Sequence, residues 1–246
     1  MLGFEALVRW QHPDHGLVGP DRFLPFAERT GLIRPLTRHV LDVALRQCKQ
    51  WSIQGVDVAV AVNLSSRDLL DLHFPDEVER LLDEWQIEPG RLELEITERV
   101  ILSDPVRTRT ILGRLKALGI RLSIDDFGSG YSSLSYLKRL PLDVLKIDKS
   151  FVLNMLDDDD AAIVRSTIDL AHNLGLEVVA EGVETEEVRA ALVALSCDTA
   201  QGYFFSKPMA AVDVPSWLAD ARRLSSNAAG RPAPVAPRLL PAPSAP

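Results

Sequence analysis

The sequence has few of the features that mark secreted, membrane-embedded or nucleic-acid-binding chains. Its two cysteines, Cys48 and Cys197, form no disulfide framework and lack the spacing of a metal site. It has no run of about 18 apolar residues, and its start has neither the basic nor the apolar region of a signal peptide. Acidic residues outnumber basic ones by 35 to 27, which argues against DNA binding. These absences predict a cytoplasmic protein without a membrane segment.

Seven short stretches rich in Val, Ile and Leu alternate with longer amphipathic segments. The short stretches are residues 3–10, 58–65, 91–98, 121–128, 144–150, 177–184 and 199–205. Apolar residues recur every three or four positions in the segments predicted to be helices, which are 35–51, 74–85, 106–118, 161–174 and 186–195. The continuous hydrophobicity of the short stretches indicates parallel strands buried on both faces. The sequence therefore predicts an α/β fold, a TIM-like (β/α)8 barrel, with one strand fewer than eight.

The composition changes near the C-terminus. From residue 225 onward the chain consists mainly of Ser, Ala, Pro and Arg, with almost no helical period. Such composition is typical of disorder. We predict one barrel domain over residues 1–224 and a disordered tail over 225–246.

Polar side chains lie at or near the ends of all seven predicted strands. Because the carboxyl ends of barrel strands converge on one mouth, these side chains should meet in space. Carboxylates crowded together need cations, and oxygen ligands select Mg²⁺ or Mn²⁺. The candidate metal ligands are Glu5, Asn63, Glu95, Asp125, Asp126 and Glu181. Asp125 could bridge two ions about 4 Å apart, as in sites that catalyse in-line phosphoryl displacement.

Three further residues have predicted roles beside these ligands. Lys146 lies in an apolar stretch and should point to the metals, where cations and burial would lower its pKa and let it orient or deprotonate water. Glu184 is expected to contact Lys146 or a water molecule, and Gln201 to position water or substrate. The glycine-containing segment 126–134 is expected to be a mobile lid.

The succession of motifs resembles the EAL domain, a family of bacterial phosphodiesterases that hydrolyse cyclic di-GMP. The resemblance extends over residues 3–208, through EALVRW, NLS, ELEITE, DDFGSGYSSLSYL, KIDKSF, AEGVE and AQGYFFSKP. It implies a barrel with one reversed strand, two bound Mg²⁺ or Mn²⁺ ions, and opening of cyclic di-GMP to linear pGpG.

The resemblance also assigns roles to individual residues. It implies that the six candidate ligands bind the metals and that Lys146 and Glu184 activate water. It adds two residues, since Arg9 matches an arginine that contacts a substrate phosphate and Glu98 matches a glutamate that anchors the mobile loop. Gln201 matches a glutamine near the metals.

Members of this family carry a further strand before the EAL tripeptide, which begins here at Glu5. We therefore expect an N-terminally truncated barrel that lacks its first strand. The resemblance allows a GGDEF or sensory domain upstream in a longer parent protein, and a homodimer formed near the mobile loop.

Two other functions fit parts of the pattern. An EAL-type module could bind cyclic di-GMP, or regulate a partner, without turnover. Acids on successive strands with a lysine also suit metal-assisted proton abstraction from a carboxylate substrate, as in enolase-like enzymes, but those enzymes need a separate capping domain. The hydrolase prediction accounts for every candidate ligand.

Overall fold

The computed structural model describes residues 3–98, 100, 104–128, 137–227 and 238–240. The strands are β1 (Gly3–Ala6), β2 (Trp10–His12), β3 (Gly16–Val18), β4 (Ala59–Leu64), β5 (Leu92–Thr97), β6 (Arg121–Phe127), β7 (Val144–Ile147), β8 (Glu177–Glu181), β9 (Thr199–Gln201), β10 (Met209–Ala210) and β11 (Arg238–Leu240). The helices are α1 (Pro20–Thr30), α2 (Ile33–Ile53), α3 (Phe74–Trp85), α4 (Pro105–Ala117), α5 (Lys149–Leu153), α6 (Asp158–Asn173), α7 (Glu186–Ala194) and α8 (Val214–Asn227).

One curled sheet contains nine of these strands, in the order β10-β11-β1-β4-β5-β6-β7-β8-β9. Every strand pairing described in it is parallel. The seven predicted strands are β1 and β4 to β9, in the predicted order, and helices follow most of them along the chain. The predicted barrel of the (β/α)8 type with seven such strands is therefore confirmed. The reversed strand that the resemblance implies is not among the described strands.

A small antiparallel hairpin, β2 with β3, was not predicted. Trp10 pairs with Val18 and His12 with Gly16, whose φ of +65° suits the turn. Helix α1 was also missed, although Pro20 at its first turn is a common start signal. The hairpin interrupts the predicted strand 3–10, so that β1 ends at Ala6.

The C-terminal residues contribute to the sheet where the structure describes them. Helix α8 continues to Asn227, and β11 pairs with β1 on one side and β10 on the other. Residues 228–237 and 241–246 of the predicted tail lie outside the described residues. The boundary between barrel and tail stays a prediction.

Strand β1 is held in place by an aromatic cluster as well as by its hydrogen bonds. Phe4 is buried, with its ring 5.7 Å from that of Trp51 and 6.1 Å from that of Trp217. Trp51 Nε1 donates a hydrogen bond to the carbonyl of Ala211 at 3.1 Å. Burial of a side chain such as Phe4 stabilises the fold by about 1.5–3 kcal/mol. This packing keeps Glu5, the next residue, at a constant position.

Strand register brings the predicted site residues to one end of the sheet. Asn63 is paired with Glu95, Thr97 with Asp125, and Glu181 with Gln201. Apolar side chains of β4 to β8 fill the core behind them. None of the described helices combines the length and apolarity that a membrane-spanning segment requires.

Candidate active site

Lys146 lies at the centre of the buried charges. It comes from β7, and only 2% of its surface is exposed. Its Nζ lies 2.7 Å from Glu181 Oε1, 2.8 Å from Glu95 Oε1 and 3.3 Å from Asp125 Oδ1. One ammonium group thus links carboxylates from strands β5, β6 and β8.

Without bound cations these carboxylates raise the pKa of Lys146, whereas the predicted lowering refers to the metal-bound site. Burial alone is the largest single effect and lowers the pKa, but Glu181, Glu95, Asp125 and Glu5 together raise it well above its ordinary value. The predicted depression would need cations beside the ammonium group. Without them Lys146 is firmly protonated.

Glu95 is a strongly perturbed acid beside Lys146. Burial, and then the charge of Glu5, raise its pKa well above the usual range, while Lys146 opposes the rise and Asp125 adds to it. A single ammonium group therefore compensates these carboxylates only in part.

Two amide side chains hold Glu5 at the mouth. Asn63 Nδ2 donates to Glu5 Oε1 at 2.8 Å, and Gln201 Nε2 donates to Glu5 Oε2 at 3.0 Å. Glu5 is buried and Asn63 is exposed. The first and last of the seven predicted strands therefore meet through side chains at the mouth.

Asp125, Asp126 and Glu181 form the tightest acidic group. Their carboxylate oxygens lie within 4.8 Å of one another. The register of β6 against β7 shifts between Ile124 and Phe127, and Asp126 has a φ of +54°, a left-handed conformation that is uncommon outside glycine. Burial, the charge of Asp125 and a hydrogen bond with Asp148 raise the pKa of Asp126 to about 6.

The donors present fit a hard divalent cation. Among the described residues, Glu95 Oε2 is buried without a hydrogen-bond partner, and the buried Asp125 Oδ1 makes no hydrogen bond beyond its 3.3 Å ion pair with Lys146. An unsatisfied buried carboxylate oxygen costs about 1–3 kcal/mol or more. All the candidate ligands offer oxygen atoms, which Mg²⁺ and Mn²⁺ prefer. The acidic cluster could therefore bind metal.

The family model described as the EAL domain matches residues 1–208. The chain belongs to the EAL domain family. A similar curated protein is the bifunctional diguanylate cyclase/cyclic di-GMP phosphodiesterase MucR of Pseudomonas aeruginosa, 47% identical over 213 residues, or 86% of this chain and 31% of MucR. Cyclic di-GMP phosphodiesterase PA2567 of the same organism is 40% identical, covering 88% of this chain and 37% of the relative. The chain spans about a third of the length of these relatives.

Solved EAL structures have the same fold. The PaMucR phosphodiesterase in its c-di-GMP complex matches with a TM-score of 0.79 and 47% identity over 83% of each chain. The EAL enzyme Bd1971, with cAMP and cyclic di-GMP bound, matches with a TM-score of 0.80 and 33% identity, over 86% of this chain and 59% of that one.

The remaining predicted residues of this EAL domain are less closely connected to the cluster. Glu98 is buried, and neither of its carboxylate oxygens has a hydrogen-bond partner among the described residues. Of the lid 126–134 that it is predicted to anchor, residues 129–134 lie outside the described residues. Glu184 is exposed and forms no ion pair with Lys146, although both residues are described. Arg9 Nη1 donates to the carbonyl of Val8 at 2.8 Å. The roles of these residues stay predictions.

Sequence reasoning missed two acids of this EAL domain that accept hydrogen bonds just beyond strand ends, one of them beside the acidic cluster. Asp148 hydrogen-bonds with Asp126 and caps α5, where its Oδ1 accepts from the amide of Ser150 at 2.8 Å. Asp68 is buried and accepts from the amide of Ser65 at 2.9 Å and from Thr37 Oγ1 at 2.9 Å. Both acids follow a strand closely and precede a helical turn, a position where Asp is favoured as a cap.

Proposed function

We propose that this EAL domain is a metal-dependent phosphodiesterase that hydrolyses cyclic di-GMP to linear pGpG. One observation carries the proposal. Carboxylates from three parallel strands, β5, β6 and β8, surround Lys146 of β7 at the barrel mouth, and Glu95 Oε2 is buried without a hydrogen-bond partner among the described residues. Relatives 40–47% identical to the chain are named cyclic di-GMP phosphodiesterases, which supports the choice of substrate.

Two ions, Mg²⁺ or Mn²⁺, would be held by the ligands of the mouth. The proposed ligands are Glu5, Asn63, Glu95, Asp125, Asp126 and Glu181. When bound, the ions supply positive charge that activates water and stabilises the leaving oxygen of an in-line displacement. Asp125 would be shared by the two ligand groups, which is supported by its contact with Lys146 beside Glu95 and by its closeness to Asp126 and Glu181.

Lys146 and Glu184 would handle the attacking water. Lys146, whose ammonium group lies among these carboxylates, would orient the water as a hydrogen-bond donor. Glu184, an exposed carboxylate at the same mouth, would accept the proton of the water. The water oxygen joins phosphorus, the bond from phosphorus to the ribose 3′ oxygen breaks, and that oxygen takes up a proton, which yields linear pGpG.

Three residues would act on the substrate or the lid. Arg9 would bind a substrate phosphate, and Glu98 would anchor the lid. Gln201 would position water or substrate and would also keep Glu5 in place. The hydrogen bond between Gln201 and Glu5 supports the last of these roles.

Wider features of the protein are also proposals. We infer a barrel over residues 1–224 with a tail over 225–246 and a cytoplasmic location. A homodimer and an upstream GGDEF or sensory domain are further proposals. MucR, named as a bifunctional cyclase and phosphodiesterase, is longer than this chain, which supports the idea of an additional domain.

Paired measurements of binding and turnover test the proposed function. Calorimetry of cyclic di-GMP in Ca²⁺ measures binding, and ion-exchange chromatography after incubation in Mg²⁺ or Mn²⁺ measures product. Binding together with metal-dependent formation of pGpG is the expected result. Binding without product in any metal would favour the receptor alternative, and absence of both would contradict the two functions together.

A further inference from the structure

The turns that follow β8 and β9 pack backbone against backbone at the mouth. The amide of Val183 donates to the carbonyl of Gln201 at 3.0 Å, and the amide of Phe204 donates to the carbonyl of Val183 at 2.9 Å. Val183 itself is fully buried. The two hydrogen bonds extend the pairing of Glu181 with Gln201 beyond the strand ends. We call residues 181–184 and 201–204, joined in this way, the mouth clamp.

Gly202 is the residue that permits this close approach. A Cβ atom at this position would lie 2.1 Å from the carbonyl oxygen, 2.3 Å from the amide nitrogen and 2.7 Å from the carbonyl carbon of Val183. All three are backbone atoms, which cannot rotate away as a side chain can. Position 202 therefore has no space for a side chain, which explains why it is glycine.

Gly182, the residue before Val183, is also closely packed. Gly182 has a φ of +77°, and a Cβ there would lie 2.6 Å from Cβ and 3.2 Å from Cα of Lys149. The segment around Val183 is therefore packed against the start of α5 as well as against Gly202. A substitution at Gly202 must separate the two turns of the clamp.

Two candidate site residues are adjacent to the clamp. Gln201 immediately precedes Gly202, and its Nε2 donates to Glu5 at 3.0 Å. Glu184 immediately follows Val183. We propose that Gly202 is a positioning residue, which holds Gln201 on Glu5 and presents Glu184 at a constant place on the mouth. The catalytic consequence rests on the proposed function, whereas the consequences for the clamp and for Glu5 do not.

The substitution Gly202→Ala, compared with Gly113→Ala, tests this proposal. Gly113 lies within α4 and no heavy atom lies within 4 Å of a Cβ placed there, so the control adds the same methyl group in open space. In Gly202→Ala we expect faster hydrogen exchange at the amides of Val183 and Phe204, with unchanged protection at Leu94 in β5. Mn²⁺ affinity and turnover of cyclic di-GMP should each fall at least about tenfold, as expected when a partner of a metal ligand is displaced. Gly113→Ala should leave all of these unchanged.

A double variant distinguishes a positioning role of Gly202 from general destabilisation of the fold. Combined with Gln201→Ala, the Gly202 change should weaken Mn²⁺ binding by less than it does alone, because both act through Glu5. If the effects of the two substitutions on Mn²⁺ affinity were fully additive, the positioning role would be contradicted. Unchanged hydrogen exchange at Val183 and Phe204 in Gly202→Ala, or loss of its native circular dichroism spectrum, would also contradict it. Rapid exchange of these two amides in the unmodified protein would overturn the proposal by itself. If the unmodified protein bound Mn²⁺ but made no pGpG, the proposed function would be contradicted. Amide hydrogen exchange and Mn²⁺ affinity would still test the role of Gly202 in the mouth clamp.

Discussion

The ammonium of Lys146 lies 2.7 Å from a carboxylate oxygen of Glu181 on the neighbouring strand, and the structure leaves only 2% and 4% of the two side chains exposed. Such a pair forms in a low-dielectric interior, where each charge depends on the other for compensation. Glu95 and Asp125 share the same ammonium group. Without metal, the stability of the mouth therefore depends on the positive charge of Lys146. With metal bound, the cations would also compensate the carboxylates.

Removal of the ammonium should destabilise the metal-free protein. In Lys146→Met the surrounding carboxylates lose their counter-charge, and we expect the free energy of unfolding to fall by about 3–5 kcal/mol near neutral pH. Saturating Mn²⁺ should restore much of this loss, since cations then compensate the carboxylates. Urea denaturation with and without Mn²⁺ measures both effects. Lys49→Met is the control, because Lys49 donates to Gln86 at an exposed site and its loss should cost under about 0.5 kcal/mol. Equal losses for the two variants would contradict the account.

Metal binding should weaken in acid. The pKa of Asp126 is raised to about 6 and that of Glu95 is also raised, so protons compete with metal as the pH falls through this range. Below the pKa of a ligand, metal must displace its proton, and the Mn²⁺ affinity then falls by up to about tenfold per pH unit for each proton displaced. Calorimetric titration with Mn²⁺ at about pH 7.5 and about pH 5.5 should show this decrease. Asp126→Asn should bind Mn²⁺ more weakly but with less dependence on pH. If the Mn²⁺ affinity did not change over this pH range, the assignment of Asp126 as a metal ligand would be contradicted.

Both cysteines should react slowly in the folded protein. Burial is the main cause of the raised pKa of each thiol, and for Cys197 it is raised to about 11. At about pH 8 the thiolate fraction of Cys197 is therefore below about 1%, and the thiolate is the reactive form. Titration with a chromogenic disulfide reagent should be slow in buffer and fast in urea. Fast labelling of either thiol without denaturant would contradict the raised pKa of that thiol.

The strands were predictable because their hydrophobicity is continuous, and their exact ends were not. Residues 199–205 look like one strand, yet β9 ends at Gln201 because Gly202 turns the chain against Val183. The β2–β3 hairpin was missed because its residues are mostly exposed and its strands are three residues long, too short for a recognisable period.

The closeness of the candidate acids was predictable, but the charge balance among them was not. Convergence of parallel strands at one mouth requires Glu5, Glu95 and Glu181 to lie close together, and they do. The raised pKa of Lys146 depends on how many carboxylates lie within ion-pairing distance, which sequence spacing does not provide. The contact of Asp148 with Asp126 was missed for the same reason, since it joins adjacent strands through side chains.

The most direct test of the account is the rate of pGpG formation from cyclic di-GMP in Mn²⁺ for the unmodified protein, Glu5→Gln and Glu177→Gln, followed by chromatography. Glu177 lies at the opposite end of β8 from the mouth and forms an exposed ion pair with Arg121, so its substitution should change the rate by no more than about twofold. Glu5→Gln removes a proposed metal ligand and sets an amide against the amides of Asn63 and Gln201, and the rate should fall at least about 100-fold. Product that forms at the unmodified rate in Glu5→Gln, or that forms in the presence of excess EDTA, would contradict a metal-dependent site at this mouth.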